Sequence, residues 1–549
     1  MSSSVFAQSI PRPIPPQPQP PPQVEPLPPP DELLEPPEPP NQPERPPLQV
    51  PGTITVQQFE VRGSTVFSAE ELATVLQPFT QRPISFSELI EAQQAVTQLY
   101  IKNGYITSGA FIPPQTLTDG LVVIEVIEGA IEEIEISGLE RLRRGYVQSR
   151  VELGIQPPLN QTALLSALQL LQINLLVEDL SAELSAGSRP GLSRLELELE
   201  EAEALAVELA VDNYRSPSVG SFRRLAQLTH DNLTGRGDRL NVTYYNTDGS
   251  NTLDDLSYTL PINAKNGTIQ LSHRRTDSRV IETPFDELNI ESNSQTYELS
   301  YRQPLILNPS TEFALGVTAS LQDTETLLED EPFPLSLGAD EDGQTRIAAL
   351  RLFQEYTTRS TEDVFAVRSQ FSFGLGLLDA TVNDANLPDS QFFVWRTQAQ
   401  YLRILAPDTF LLLRSDLQLT EDALLNQEQF SLGGVSSVRG YRQDALLADS
   451  GVFLSAEVQI PVLRITGWDT LVTLTPFFDW GTLWNSNELV GVELDQSSLS
   501  SVGLGLKLLV SDNFVAQLDW GIPLVELSDT GDSLQEDGLY FSVRYRASF

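Results

Sequence analysis

Two side chains of opposite charge, forty residues apart, lie in sequence contexts that predict a specific ion pair. Arg439 lies in the tetrad Val438-Arg-Gly-Tyr441, inside a long glycine-containing connection between two strand-like runs. Asp479 lies in Phe477-Phe-Asp-Trp-Gly481, and alternation along that strand places it on the more polar face. A carboxylate on such a wall needs a partner, and a guanidinium offers a planar, permanently charged fork. The alternative is a solvated arginine on an acidic loop.

The remaining residue types argue against most other chemistry. The chain has no cysteine and only two histidines, His230 and His273, which rules out disulfides and zinc sites built on Cys or His clusters. No phosphate-binding loop or nucleophile elbow is visible. The acidic stretch 329–342 does not have the spacing of an EF-hand and is interpreted as a solvated loop. We therefore expect no enzyme, no metal and no cofactor.

Length and charge restrict the class of protein further. The chain has 549 residues and 75 acidic against 34 basic side chains, a formal net charge of -41. This balance argues against nucleic-acid binding, which needs basic patches, and the length exceeds one small domain. No apolar run reaches the ~18 residues of a membrane helix. A membrane barrel stays possible because it needs only alternation.

The first 52 residues are dominated by proline and predict a disordered, extended linker. The stretch Asp31-Glu-Leu-Leu-Glu35 is its only hint of a helical turn. The first residues lack a basic region and an apolar core, but Val5-Phe-Ala7 before Gln8 resembles the end of a cleavage site. We interpret this as the remnant of a signal that was trimmed or missed.

Residues 53–129 predict a small α+β domain. Ser68 with Glu71, and Ser85 with Glu88, form capping boxes ahead of two helices. The predicted order is a strand over 54–61, two helices, and strands over 105–111 and 121–128. A weaker copy follows over 130–202, with strands over 131–137, 177–184 and 192–200 and helices over 145–153 and 161–171. Two β-α-α-β-β domains are the preferred interpretation, and one α+β domain of the same length is the alternative.

From residue 203 to 549 helical periodicity ends, and about sixteen alternating runs follow. Ser455, Glu457 and Gln459, for example, oppose an apolar face, and Arg396 lies on a similar polar face. Both charged residues are expected to be generic lining of a lumen. Apolar faces toward lipid explain so many long consecutive strands better than a soluble sandwich does. The predicted fold is thus two α+β domains followed by a transmembrane antiparallel barrel.

The two motifs, in this order and context, resemble the outer-membrane transporters of two-partner secretion, the TpsB family (ShlB/FhaC/HecB-type) of the BamA superfamily. The resemblance implies that the tetrad is the tip of the sixth extracellular loop, folded into the barrel, where Arg439 meets Asp479. Counting places this loop after the eleventh run and Asp479 in the thirteenth. The site residues so implied are Val438, Arg439, Gly440, Tyr441, Phe477, Asp479 and Gly481, with Phe549 as the terminal signal for the barrel-assembly machinery.

The same resemblance implies a function. Two periplasmic POTRA domains would capture an unfolded secreted exoprotein, β-helical once folded, mainly on the first domain, and the barrel in the outer membrane would pass it outward. Client folding outside would drive export, because no nucleotide site is visible. The alternatives are a BamA-type insertase, which would usually carry more POTRA domains, a passive porin, which leaves the α+β region unexplained, and an outer-membrane hydrolase, which would need a triad that is not found.

Overall fold

A computed structural model describes residues 34–35, 53–116, 119–383, 387–486, 494, 496–511, 513–527 and 531–549. Residues Pro29–Ala202 form one compact unit, and Glu203–Phe549 belong to another. The expected linker over residues 1–52 lies outside the described residues, except for Leu34–Glu35. No helix among the described residues has both the length and the apolar character to cross a membrane.

The first α+β repeat contains the two helices expected from its capping boxes. Helix Ala69–Leu76 follows Ser68, helix Phe86–Lys102 follows Ser85, and both boxes are complete. The repeat's strands are Thr53–Val56, Gln58–Arg62, Arg82–Ser85, Gly109–Phe111 and Leu121–Ile127.

Two strand predictions in this repeat are wrong in detail. The single strand expected over 54–61 is divided at Gln57, whose N–H donates to Gly120 O, because its two halves pair with different partners. The strand expected over 105–111 covers only Gly109–Phe111, because the Ser108 N–H closes a turn onto Tyr105 O.

A polar cluster fixes the loop that leads into the first helix. The Glu128 carboxylate accepts the N–H groups of Thr65 and Val66 at 2.7 and 3.3 Å, and the Tyr100 hydroxyl at 2.9 Å. Burial raises the pKa of Glu128, but hydrogen bonds from Thr65, Tyr100 and Val66 together outweigh it and leave the pKa below its usual value. Burial raises the pKa of Tyr100 to about 12, so that its hydroxyl stays a donor. The charged form of Glu128 is therefore part of the fold.

The second repeat has its own apolar core, distinct from that of the first. Its helices are Arg144–Val151 and Gln161–Gln172, and its strands are Ala130–Ser137, Val177–Ala186 and Leu192–Glu201. The helical turn expected at 31–35 is wrong for the two described residues, because Leu34–Glu35 pairs in parallel with Val177–Ala186. Surrounding prolines disfavour a helix there, and the edge strand offers free backbone groups.

The described part of residues 203–549 forms one closed antiparallel barrel of sixteen strands, which confirms the expected fold. The count leaves out the two-residue strand Glu331–Pro332 within a connection. In chain order the sixteen strands are Leu205–Asp212, Arg223–Asp231, Arg239–Asn246, Ser250–Pro261, Thr268–Arg279, Ile290–Asn308, Thr311–Leu328, Gln344–Arg359, Asp363–Leu375, Phe393–Ala406, Thr409–Thr420, Ser450–Ile465, Thr470–Trp484, Ser498–Val510, Phe514–Pro523 and Leu539–Ser548.

The first and last strands close the ring. Seven residue pairs join them, from Ala206 with Ser548 to Asp212 with Ser542. Phe549 follows the last strand and exchanges two backbone hydrogen bonds with Leu205. Because every strand has two neighbours, the sheet has no free edge, which is the condition for a barrel in lipid.

Alternation along the strands separates an apolar outer face from a polar inner face. Leu454 is 46% exposed on the outside, whereas Ser455 and Glu457 of the same strand are buried inside the barrel. Connections at one end of the barrel have two to seven residues, and those at the other end reach 29 residues in the connection 421–449. That asymmetry is typical of outer-membrane barrels. The longest connection carries the Val438–Tyr441 tetrad.

Candidate functional site

The connection 421–449, here called the inward loop, folds back among the barrel strands. Its two short strands, Phe430–Leu432 and Leu446–Ala448, pair antiparallel. Phe430, Leu432, Val438 and Tyr441 belong to one buried apolar cluster with Phe453, Leu483 and Leu499 of the barrel wall. Local β pairing and apolar burial therefore hold the inward loop inside the barrel and present its tip to the wall.

Gly481 of the wall motif makes room for the inward loop. A Cβ built on it would lie 2.6 Å from the Leu432 side chain, closer than packed atoms can be. Gly481 does not have a left-handed backbone conformation, so a side chain is excluded here by lack of space alone. It provides the space that the loop's leucine fills, which gives a physical reason for a glycine at this place in the motif.

Arg439 and Asp479 form a fully buried ion pair. Arg439 Nε and Nη2 donate to the two Asp479 oxygens at 2.7 and 3.0 Å, and the Arg439 backbone N–H donates to the same carboxylate at 3.2 Å. Arg439 is 3% exposed and Asp479 0%. The forked geometry satisfies both oxygens, which is the condition for a desolvated carboxylate to remain charged.

Glu457 and Phe477 complete the environment of the guanidinium. Arg439 Nη1 donates to Glu457 Oε2 at 3.1 Å, and the Arg439 Cζ lies 3.5 Å from the centre of the Phe477 ring. Phe477 therefore lies on the inner face to stack on the cation. The expectation that Glu457 is generic lining is wrong. Its strand alternation places it inside, but its place beside the loop tip depends on the register of two neighbouring strands, in which Glu457 lies opposite Phe477.

The other tetrad residues contact the fourteenth and sixteenth strands and the connection between the last two strands. Gly440 has a left-handed φ of 99°, and its N–H donates to the Tyr540 hydroxyl at 3.0 Å. That hydroxyl in turn donates to Tyr441 O. The Tyr441 hydroxyl lies 2.9 Å from Ser500 O and accepts the Val525 N–H at 3.1 Å. The tip is thus bonded to the sixteenth strand as well as the thirteenth.

Sequence reasoning missed Tyr540 and Arg442. Tyr540 falls on the polar face of the last strand, and its alternation alone gives no sign of a loop partner. Arg442, next to the tetrad, binds Glu282 at 2.7 Å and Glu536 at 3.1 Å, both in other long connections. The only sequence signal for Arg442 was its position beside the motif.

The other residues singled out in the sequence lie away from the loop tip. Arg396 forks onto Asp416 at 3.0 and 2.7 Å along the wall, as expected of lumen lining. His273 stacks on Tyr297, with ring centres 4.5 Å apart. Within the acidic stretch, Asp340 accepts the N–H of Gln344 at 2.8 Å and closes a local turn. The Phe549 residue is 65% exposed.

The fold of this chain is similar to those of two solved structures, CdiB and BamA. The structure of CdiB from Escherichia coli aligns with a TM-score of 0.71 and 21% identity, covering 92% of this chain and 93% of that one. BamA from Haemophilus ducreyi, lacking POTRA domains 1–3, aligns with a TM-score of 0.53 and 14% identity over 90% of this chain and 100% of that one. These similarities define the class of fold.

The sequence defines the family. The profile of the haemolysin secretion/activation proteins ShlB/FhaC/HecB matches residues 191–508, and that of the ShlB-type POTRA domain matches residues 54–129. The chain belongs to this ShlB/FhaC/HecB family. The heme/hemopexin transporter protein HuxB of Haemophilus influenzae strain 86-028NP is 22% identical over 508 residues, 88% of this chain and 85% of the relative. The outer membrane transporter CdiB of Escherichia coli O6:K15:H31 is 24% identical, covering 83% and 79%.

Family membership confirms the expected function and location. The chain is an outer-membrane protein transporter of two-partner secretion, with its barrel in the outer membrane and its POTRA region in the periplasm. Transporters of this family secrete TpsA-type exoproteins. The resemblance to BamA is distant, which leaves the insertase alternative without specific support.

Proposed function

We propose that the inward loop closes the export path at rest and that the Arg439–Asp479 pair fixes its position. The observation that carries this proposal is a forked ion pair with almost no solvent exposure, joining a loop tip to the barrel wall. Such a pair adds little net stability, because desolvation offsets attraction, but it specifies one position of the loop. Gly440, Tyr441 and Val438 shape and seat the tip, and Phe477 and Gly481 form its receptor on the wall.

The α+β unit is proposed to capture the client in two POTRA domains, residues 53–129 and 130–202. In the first domain, Gly109–Phe111 pairs on one side with Leu121–Ile127 and has no second strand among the described residues. Its free backbone groups and the half-exposed Phe111 suit an extended peptide that adds as a strand. The client is then a TpsA-like exoprotein that is unfolded when captured and β-helical once folded. Residues 1–52, apart from the paired Leu34–Glu35, serve as a linker.

Transport by this route requires no catalytic step. Folding of the client outside the cell withdraws unfolded chain from the equilibrium and gives export its direction. During biogenesis, the last strand and Phe549 are proposed to be recognised by the barrel-assembly machinery. The Phe549 backbone bonds to Leu205, which puts this residue at the seam between the first and last strands.

The test is export of a TpsA-type client from cells that lack the transporter and carry a plasmid copy of it. Wild type should restore export, and Arg439→Ala should reduce it and change the channel conductance of the purified protein. Arg464→Ala is the matched control, because Arg464 pairs with Asp408 at an exposed turn. Wild-type export and conductance in the Arg439 variant would disprove the role of the pair.

The capture role has a separate test. A chain without residues 53–129 should insert in the membrane but bind client peptide much more weakly than the full-length protein does. Equal binding by the two chains would show that the first domain does not capture the client.

A further inference from the structure

A second ion pair lies at the base of the inward loop, far from the tetrad. Arg351, in the eighth strand, forks onto Glu428 of the loop, with Nη1 and Nη2 donating to the two carboxylate oxygens at 3.0 and 2.6 Å. The side chains are 17% and 9% exposed. Like the Arg439–Asp479 contact, this one joins a guanidinium to a carboxylate by two hydrogen bonds. It attaches the loop to the eighth strand, however, and not to the thirteenth.

Neighbouring contacts show that the loop base is held as a unit. Leu424 and Leu425 are buried in an apolar cluster with Ile347 of the eighth strand. The Gln427 side chain donates to Thr345 Oγ1 at 2.8 Å, again on the eighth strand. The Glu428 backbone carbonyl accepts from the Gln418 side chain at 2.9 Å. Residues 424–428 therefore contact the wall through both apolar and charged groups.

The positions of the two attachments in the ring of strands show how the inward loop runs across the lumen. The base contacts the eighth strand, and the tip contacts the thirteenth strand through Asp479 and the sixteenth through Tyr540. In a ring of sixteen strands, the eighth and sixteenth lie half a circumference apart. The inward loop consequently spans the lumen from wall to opposite wall.

Two separate cavities flank this crossing. One, of about 520 Å³, is lined by Arg351 and Glu428 together with polar residues of the early strands. The other, of about 470 Å³, is lined by Arg439 and Glu457 and shares no lining residue with the first. The two ion pairs therefore border different cavities.

We propose that Arg351 and Glu428 are positioning residues that form a second anchor of the inward loop, and that the export path opens fully only when both anchors release. The proposal rests on the proposed function, in which this loop closes the path. It assigns a role to a loop residue, Glu428, and a wall residue, Arg351, that lie outside both motifs.

The test uses a single cysteine as a reporter, since the natural chain has none. Ser320→Cys places a thiol on the inner wall, where Ser320 is buried and lines the larger cavity. Intact cells expressing the full chain are treated with a membrane-impermeant maleimide, and the rate of labelling reports access from outside. Heat-modifiable migration on gels checks that each variant still forms a closed barrel.

Glu428→Gln and Arg351→Gln should each raise the labelling rate, by roughly 10- to 100-fold for the loss of a charge-assisted fork. The charge exchange Arg351→Glu with Glu428→Arg should bring the rate back toward wild type, which loss of packing alone would not allow. Arg346→Gln is the matched control, because Arg346 lies in the same strand but pairs with Asp323 in an exposed position.

Arg439→Ala in the reporter background separates this proposal from the proposed function. Faster labelling in the Arg439 variant together with wild-type rates in the Glu428 and Arg351 variants would overturn the second anchor and leave the tip's role intact. The reverse pattern would support the second anchor and count against the role of the tip. A charge exchange that labels as fast as the single variants would also overturn the anchor.

Discussion

Removal of the Arg439 side chain is the perturbation for which the structure gives the clearest magnitude. Arg439→Ala leaves Asp479 and Glu457 buried together without their shared cation. Removing one partner of a buried ion pair costs about 3–5 kcal/mol. Because each 1.4 kcal/mol is a factor of ten, the ratio of seated to released loop should fall by roughly 10²- to 4 × 10³-fold.

The two carboxylates should contribute unequally. Asp479 accepts three hydrogen bonds from Arg439, whereas Glu457 accepts one. Glu457→Gln should therefore cost about 1.5–3 kcal/mol, the range for one charge-assisted bond, and Asp479→Asn should cost more. In the Arg439→Ala background, Asp479→Asn should recover part of the loss, because it removes the buried charge that was left without a partner.

Single-channel conductance in planar bilayers and protease sensitivity of residues 421–449 measure the released loop. Arg464→Ala, at an exposed pair, should change loop stability by less than about 0.5 kcal/mol. The reasoning would be refuted if Arg439→Ala matched wild type in both measurements. It would also fail if Glu457→Gln released the loop more than Asp479→Asn.

Three further predictions concern other contacts. Gly481→Ala should displace the inward loop at a cost of about 1–3 kcal/mol from overpacking, and Leu432→Ala in the same chain should recover part of it, measured by loop proteolysis. Tyr540→Phe should leave the Gly440 N–H buried without its acceptor, at about 1–3 kcal/mol, measured as more frequent conductance transitions. The pKa of Glu128 is lowered in the folded protein, so its charged form stabilises the fold above the unfolded pKa, and this stabilisation is lost as pH falls through the folded value. Hydrogen exchange over residues 53–129 should therefore become faster in acid. Glu128→Gln should make that acid response less steep.

Each of these has an outcome that counts against it. Equal loop protection in Gly481→Ala and wild type would show that the Leu432 contact is not tight. Unchanged gating in Tyr540→Phe would show that water replaces the hydroxyl. An acid response of the same steepness in Glu128→Gln would assign it to other carboxylates.

Local features of the sequence were enough to predict local structure. Ser68 and Ser85 mark helix starts because a capping box involves only residues three apart, and both boxes form. Alternation predicted the barrel because each strand is polar inside and apolar outside. The division at Gln57 was not predictable in this way, because it depends on which distant strands pair with each half.

The same limit applied to the site, because local sequence patterns do not show which distant parts of the chain come into contact. The motifs around Arg439 and Asp479 allowed their pairing to be expected, but Glu457, Tyr540 and Arg351 carry no motif. Their roles follow from the register of the barrel strands and from the path of a 29-residue connection across the lumen. Neither quantity can be read from alternation, which fixes only the face on which a side chain lies.

The bond between Gly440 and Tyr540 imposes an order on how the molecule is made. Tyr540 belongs to the sixteenth strand, so its hydroxyl reaches its final position only after that strand has joined the rest of the ring. The loop is synthesised about a hundred residues earlier, so this bond forms later than the loop's contacts with the thirteenth strand can. A transporter whose final strand has not joined the ring therefore lacks this contact, and the bond between Gly440 and Tyr540 is a mark of completed assembly.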